Sequence, residues 1–153
     1  MLKKKLIANA FFAIYLYFNI TIAAAEFMSV ASKQAAFHEA PSDSTKKIFI
    51  ATEGYPVDVL VSLKEWKKVK DHEGKISWIK AEDLSKKRTV LAKSEDISFY
   101  QQPNTTSAIL GKVSNNVVLD LVDDSAPQGW IKVYSKAADL EGYVETTSFW
   151  GSN

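Results

Sequence analysis

Few side chains in this sequence suit acid–base, nucleophilic or metal chemistry. Its 153 residues include no cysteine, which excludes thiol nucleophiles, thiolate metal sites and disulfides. The two histidines, His38 and His72, lie in separate segments with no second ligand at metal spacing, and we expect both to be exposed. The carboxylate pairs at 82–83 and 123–124 fall in predicted loops, where nothing predicts a shifted pKa. We therefore expect a protein that is not an enzyme and uses no metal or cofactor.

Aromatic side chains offer a different chemistry, the binding of a ligand by flat rings. In the segment 130–134, strand alternation places Ile131 and Val133 on one face and Trp130 on the other. The segment around Trp66 has the same pattern. Flat rings on a strand can hold an extended peptide at small entropic cost. We expect a semi-exposed aromatic shelf made of Trp66, Trp78, Trp130, Tyr143 and Tyr55. Tyr100 is a further candidate.

The alternative for these rings is purely structural. Paired aromatic residues often stabilise sheets, so the same side chains could instead cap a barrel or fill a contact between barrels. Their exposure decides between the two interpretations.

The amino-terminal residues have the pattern of a secretory signal peptide. Three lysines at 3–5 precede an apolar run from Leu6 to Ile22, and Ala23-Ala24-Ala25 supplies the small residues of a cleavage site. The alternative is an uncleaved anchor, because residues 6–25 are about long enough to span a bilayer. We expect a periplasmic protein that has no stable membrane span if the segment is cleaved.

The charge balance excludes one class of partner. The formal net charge is +1, from 19 basic and 18 acidic residues. Loss of the three lysines at 3–5 leaves 16 basic residues, hence a net charge of −2. Phosphate backbones require a clustered basic surface, and acidic residues interrupt the lysines at 64–70. We expect no binding to nucleic acid.

The rest of the chain is organised as two copies of one pattern. Trp66 and Trp130 are 64 residues apart, and Trp78 and Tyr143 are 65 apart. Both copies consist of short β-branched and aromatic segments bounded by turn residues, which predicts small all-β barrels. A barrel of about 55 residues is marginal alone, so we expect the two to pack on each other. Helix is limited to single 3₁₀ turns at 82–84 and 146–148.

The joint between the copies has a predicted structural role. It contains no glycine or proline and is too short for a free tether. Arg88, the single arginine, lies there, and its forked guanidinium suits a fixed contact with a barrel. We expect the joint and Trp150 to form a shared core.

The strand motifs resemble a known family. Gly129-Trp130-Ile131-Lys132-Val133, followed by Gly142-Tyr143-Val144, is similar to the paired strands of the bacterial SH3-like (SH3b) domain. The first copy resembles it through Trp66, Lys68-Val69 and Trp78-Ile79. The joint at 87–90 and the closing Phe149-Trp150-Gly151 resemble exported proteobacterial tandem SH3-like proteins of uncharacterised function.

The resemblance implies a division of the chain and a function. The expected parts are a signal peptide at 1–25, a mature N-terminal segment at 26–36, and SH3-like barrels at 37–91 and 97–151. Related modules bind peptidoglycan peptides or partner proteins. The family's usual opening arginine is missing from both copies. We expect a non-enzymatic periplasmic module for cell-wall peptide or another extended peptide. The alternative is an envelope adaptor or structural protein that binds another protein through its barrels.

Overall fold

A computed structural model describes residues 25–152, which form two antiparallel sheets connected in series. The predicted signal peptide at 1–25 lies outside the described residues except for Ala25. The strands of the first sheet are short, as the sequence predicts. They are β1 (Glu26–Val30), β2 (Gln34–His38), β3 (Lys47–Thr52), β4 (Pro56–Ser62), β5 (Trp66–Lys70), β6 (Ile76–Lys80) and β7 (Leu84–Ser85).

The second sheet has the same number and order of strands as the first. The spatial orders are β3-β2-β6-β5-β4-β1-β7 and β10-β9-β13-β12-β11-β8-β14. The second set is β8 (Thr89–Ala92), β9 (Ile97–Tyr100), β10 (Ile109–Val113), β11 (Val118–Asp123), β12 (Trp130–Ser135), β13 (Leu140–Glu145) and β14 (Phe149–Trp150). We call residues 26–85 the first unit and residues 89–150 the second unit.

Within residues 25–152, helix is confined to the predicted 3₁₀ turns. They occupy Ala81–Asp83 and Thr146–Ser148, each just before the last strand of its unit. The turn between β5 and β6 places Gly74 at φ 81°, the left-handed conformation that the sequence predicts for it. No helix among residues 25–152 is long and apolar enough to cross a membrane.

Each unit has its own apolar core. Alternation in β12 buries Ile131 and Val133 completely, as predicted, and β5 buries Val69. In the first core the large side chains are Met28, Val30, Phe37, Val57, Val69, Ile79 and Leu84. Those of the second core are Val90, Ile97, Phe99, Leu119, Ile131, Val133, Val144 and Phe149. The expected all-β fold of two packed SH3-like units is confirmed.

The boundaries of the two sheets along the chain differ from the boundaries that the sequence motifs suggested. Residues 26–36, expected to precede the first barrel, provide β1 and the start of β2. Thr89–Ala92, assigned partly to the first barrel and partly to the joint, forms β8 and pairs with β11 and β14. The reason is that β1 and β8 pair with distant strands, so each belongs to the sheet that contains its partner. Residues 86–88 connect the two units.

The two units pack directly on each other through this connection. The Thr89 hydroxyl donates a hydrogen bond to the Gly54 carbonyl oxygen at 2.7 Å, and Thr89 is buried. The Arg88 guanidinium donates to the Gly151 carbonyl oxygen at 2.9 Å and lies 5.4 Å from the centre of the Phe27 ring. Phe27 meets Trp150 edge to face, with ring centres 5.1 Å apart. Trp150 and the joint thus share an interface with the first unit, as expected.

Candidate aromatic ligand-binding faces

Three neighbouring strands in each unit carry the predicted aromatic residues on their outer side. In the first unit β5 lies between β4 and β6, with Trp66 opposite Lys80 and Lys68 opposite Trp78. Because Val69 and Ile79 point into the core, these four side chains share the other face of the sheet. Trp66 and Trp78 are therefore brought together by strand register.

The first aromatic face consists of His38, Trp66 and Trp78. His38 lies opposite Trp78 in the β2–β6 pair, and its ring meets the Trp66 ring edge to face at 5.2 Å. The Lys80 ammonium lies 6.0 Å from the centre of the Trp66 ring. Trp66 is only 8% exposed as a result, whereas Trp78 remains half-buried under Lys68. The first face is closed over its central ring.

His38 differs from its expectation. It is 3% exposed, so the expectation that it lies at the surface is wrong. Its Nδ1 atom has no hydrogen-bond partner among the residues described. The physical reason for its burial is the cross-strand pairing, which places His38 opposite Trp78 and its ring against Trp66. His38 precedes Pro41 at the spacing by which Tyr100 precedes Pro103 in the second copy, so the repeat could have placed His38 beside the aromatic residues, but it did not indicate burial.

A shallow cavity of about 330 Å³ opens beside the covered ring of Trp66. Its lining includes Asp43, Lys64, Glu65 and Lys80. Lys80 is held by Asp43 at 2.9 Å, and this hydrogen bond raises the pKa of Lys80. The charged pair keeps Lys80 over the indole, so the cavity has mainly polar walls.

The second aromatic face consists of Tyr100, Trp130 and Tyr143. Tyr100 lies opposite Tyr143 in the β9–β13 pair and meets Trp130 edge to face at 5.4 Å. All three rings are half-buried, so each keeps part of its surface in solvent. The residue opposite Trp130 is Glu145, which is exposed. The second face is thus the more open one.

A single cation borders the second face at its Tyr143 end. The Lys132 ammonium lies 6.0 Å from the centre of the Tyr143 ring. It also pairs with Glu141, and this hydrogen bond raises the pKa of Lys132. The face therefore combines three ring surfaces with one fixed positive charge.

Tyr55 lies apart from both faces, beside the strands β3 and β4. Its ring meets Phe37 and Phe49, each at 6.1 Å, and its hydroxyl hydrogen-bonds His72 Nδ1 at 3.0 Å. Burial, followed by the charge of Asp71, raises the pKa of Tyr55 to about 12. The structure therefore brings together Trp66 with Trp78 and Trp130 with Tyr143, but not Tyr55 with either pair.

Within residues 25–152, no group of three or more His, Asp or Glu side chains is placed to hold a metal ion. The polar groups of the two faces are a histidine, lysines that pair with carboxylates, and surface carboxylates. The arrangement suits the binding of a ligand by ring contact.

The comparisons with known proteins identify the fold of the first unit. Residues 31–86 match the bacterial SH3 domain family, which confirms the resemblance seen in the sequence. The match covers the first unit from just after β1 to the start of the connection. No curated protein matches the chain.

Several solved structures are similar at low identity. NlpC2 from Trichomonas vaginalis is 14% identical, with a TM-score of 0.37, over 83% of this chain and 48% of its own. An NlpC/P60 family protein from Bacillus cereus is 16% identical, with a TM-score of 0.36, over 81% and 55%. The chain therefore spans about half the length of these structures.

Proposed function

We propose that this protein is a non-enzymatic binding module that holds an extended peptide on the second aromatic face. The observation that carries the proposal is the cluster of Tyr100, Trp130 and Tyr143, three half-buried rings on one outer surface. Partly exposed rings give a ligand a large, rigid contact area at small entropic cost. The second face is therefore the principal site, and Trp130 is its central residue.

The proposed ligand is the peptide of the bacterial cell wall. The resemblance to SH3b modules supports this ligand class, and so does the match to the bacterial SH3 domain. Wall peptides are short, extended and carry free carboxylates, which the Lys132 ammonium beside Tyr143 can attract. We infer a periplasmic location, because the apolar segment at 6–22 and its flanking residues have the pattern of an export signal.

Co-sedimentation with purified peptidoglycan sacculi tests the proposal. We expect Trp130→Ala to weaken binding about tenfold, because central aromatic residues usually carry most of the energy of an interface. Tyr134→Ala is the matched control. Tyr134 is a half-buried aromatic residue on the same outer side of the same strand, but it lies four residues from Trp130 at the far end of β12, where its hydroxyl donates to Asp139 at 2.8 Å. Its removal should leave sedimentation unchanged.

Other outcomes would favour other functions. If sacculi do not retain the protein and one envelope protein is captured instead, the adaptor function replaces wall binding. Equal losses in Trp130→Ala and Tyr134→Ala would show that the second face is not the site. Release of soluble muropeptides from sacculi would show an enzyme.

A further inference from the structure

The hairpin between β4 and β5 exposes three aliphatic side chains together. Leu60, Val61 and Leu63 are 43%, 43% and 47% exposed. The β4–β5 register shifts between Val59 and Val61, and the Leu63 amide donates to the Trp66 carbonyl oxygen at 2.8 Å to close the turn. We call Leu60, Val61 and Leu63 the aliphatic tip. Clustered exposed aliphatic residues on a small domain indicate a contact surface.

The second unit shows that the fold itself does not require this tip. Its corresponding hairpin, between β11 and β12, continues from Val122 into Asp123, Asp124 and Ser125. Val122 is 47% exposed, and the polar residues after it form the turn. The two units therefore have the same strand order but differ in the chemistry of one hairpin. The shared fold does not explain why the first hairpin carries aliphatic residues.

The position of the chain start distinguishes the two hairpins. Strand β1 is antiparallel to β4, with Glu26 opposite Val59, so β1 begins beside the end of β4 that leads into the aliphatic tip. The apolar run at 6–22 is separated from β1 by Ala23-Ala24-Ala25. Three residues reach about 10 Å when extended. In the second unit, β8 corresponds to β1. The residues that precede β8 are the connection at 86–88.

We propose that the aliphatic tip docks on the surface of an anionic phospholipid bilayer, beside the point where the apolar segment at 6–22 enters it. That segment is about long enough to span, so a chain that retains it holds the β4–β5 hairpin within reach of the bilayer. Leu60, Val61 and Leu63 then enter the interfacial region, while Lys64 and Lys67, which outnumber the neighbouring Glu65, face the anionic headgroups. Three aliphatic side chains bind a bilayer weakly alone, but tethering makes the contact intramolecular.

Docking would fix the orientation of the molecule. Trp66 directly follows the tip turn, whereas the second aromatic face lies on the other unit. The contact uses none of the rings of the second face, so the proposal is independent of peptide binding there.

Site-specific fluorescence tests the docking, because the chain has no native cysteine. Leu63→Cys and Val122→Cys are each introduced in the full chain, labelled with an environment-sensitive dye and reconstituted in phosphatidylethanolamine–phosphatidylglycerol vesicles. We expect the dye at 63 to shift to the blue and to lose most of its intensity to doxyl-labelled lipids. The dye at 122 should behave as in water. Val122 is the matched control because it has the same exposure on the corresponding hairpin.

Two results would overturn the docking. One is a dye at 63 that stays water-like, or dyes at both positions that are quenched equally. The other is obtained with a labelled chain that starts at Glu26, in the absence of vesicles. If the dye at 63 is already shielded in this chain and sedimentation shows dimers, a second copy covers the tip. That shortened chain keeps every strand of both sheets, and Val61→Cys repeats the test if Leu63→Cys lowers the thermal midpoint.

Discussion

The outer faces of the two units have the same strand positions but differ in the exposure of their central tryptophan. In the first unit Trp66 is almost fully covered, and in the second unit Trp130 keeps part of its ring in solvent. The difference arises at one cross-strand position, where Lys80 lies over Trp66 and Glu145 is opposite Trp130. A cation is attracted to the face of an indole, whereas a carboxylate is not. This charge reversal therefore contributes, together with His38 on Trp66, to the difference between a covered ring and a more accessible one.

The same comparison explains what each face contributes. The covered Trp66 joins His38 and Lys80 in a packed outer layer, which adds stability to the first unit. The more open Trp130 has less of that stabilisation, and on the proposed function it offers a surface to a ligand. The proposal thus assigns binding to the second unit and added stability to the first.

Truncation of the two tryptophans should give the largest difference in lost stability between the two units. We expect Trp66→Ala to lower the free energy of unfolding of the first unit by about 3 kcal/mol, at the low end for buried aromatic residues. Trp130→Ala should cost the second unit roughly half as much, because less ring area is buried. Amide hydrogen exchange measured by NMR reports on each sheet separately. Equal losses would mean that the cover of His38 and Lys80 adds nothing.

A substitution at one buried position should instead destabilise the second unit more than the first. Val69 lies opposite Ser77 and Val133 lies opposite Gly142, so Ser77 and Gly142 are equivalent. A Cβ atom at Gly142 would lie 2.6 Å from the Phe99 ring and from the Tyr100 carbonyl oxygen. We expect Gly142→Ser to destabilise the second unit by about 1–3 kcal/mol through overpacking.

Urea unfolding measures this effect, and Ser77→Ala is the control because the first unit already accommodates a Cβ atom there. An unchanged unfolding midpoint in Gly142→Ser would show that Phe99 and Tyr100 can move aside. That result would also weaken the assignment of Tyr100 to a fixed second face.

The smallest expected effect is the pH dependence that Tyr55 contributes to the first unit. Tyr55 has a pKa raised from 10.0 to about 12, and the second unit has Val117 at the corresponding position before β11. Below pH 10 the tyrosine is protonated in both the folded and the unfolded state, so its contribution is constant. Between about 10 and 12 the unfolded state loses the proton first, and the free energy of unfolding falls.

Comparison with Tyr55→Phe isolates this contribution, since the other titrating groups are common to both proteins. The difference in unfolding free energy between the two should change over pH 10–12 and be constant below it. A difference that is constant throughout would mean that Tyr55 ionises near its ordinary pKa.

Local patterns were sufficient to predict most of the fold. Alternation around Trp130 and turn residues such as Gly74 act within a few residues, so strands, turns and both 3₁₀ turns were predictable. The cover of Trp66 was not, because it depends on the register of β2 and β5 with β6, which joins residues far apart in sequence. Burial of His38 and the separate position of Tyr55 follow from the same long-range pairing.

The contacts among Arg88, Thr89, Phe27 and Trp150 have a consequence for recognition by the whole molecule. They lock the two units against each other, so the distance between Trp78 on one and Trp130 on the other is set by the fold. A polymer with repeated recognition elements then gains avidity only when its repeat matches that distance, because the second contact forms at high effective concentration. If the proposed ligand also reached Trp78, the rigid connection would therefore restrict it to one spacing.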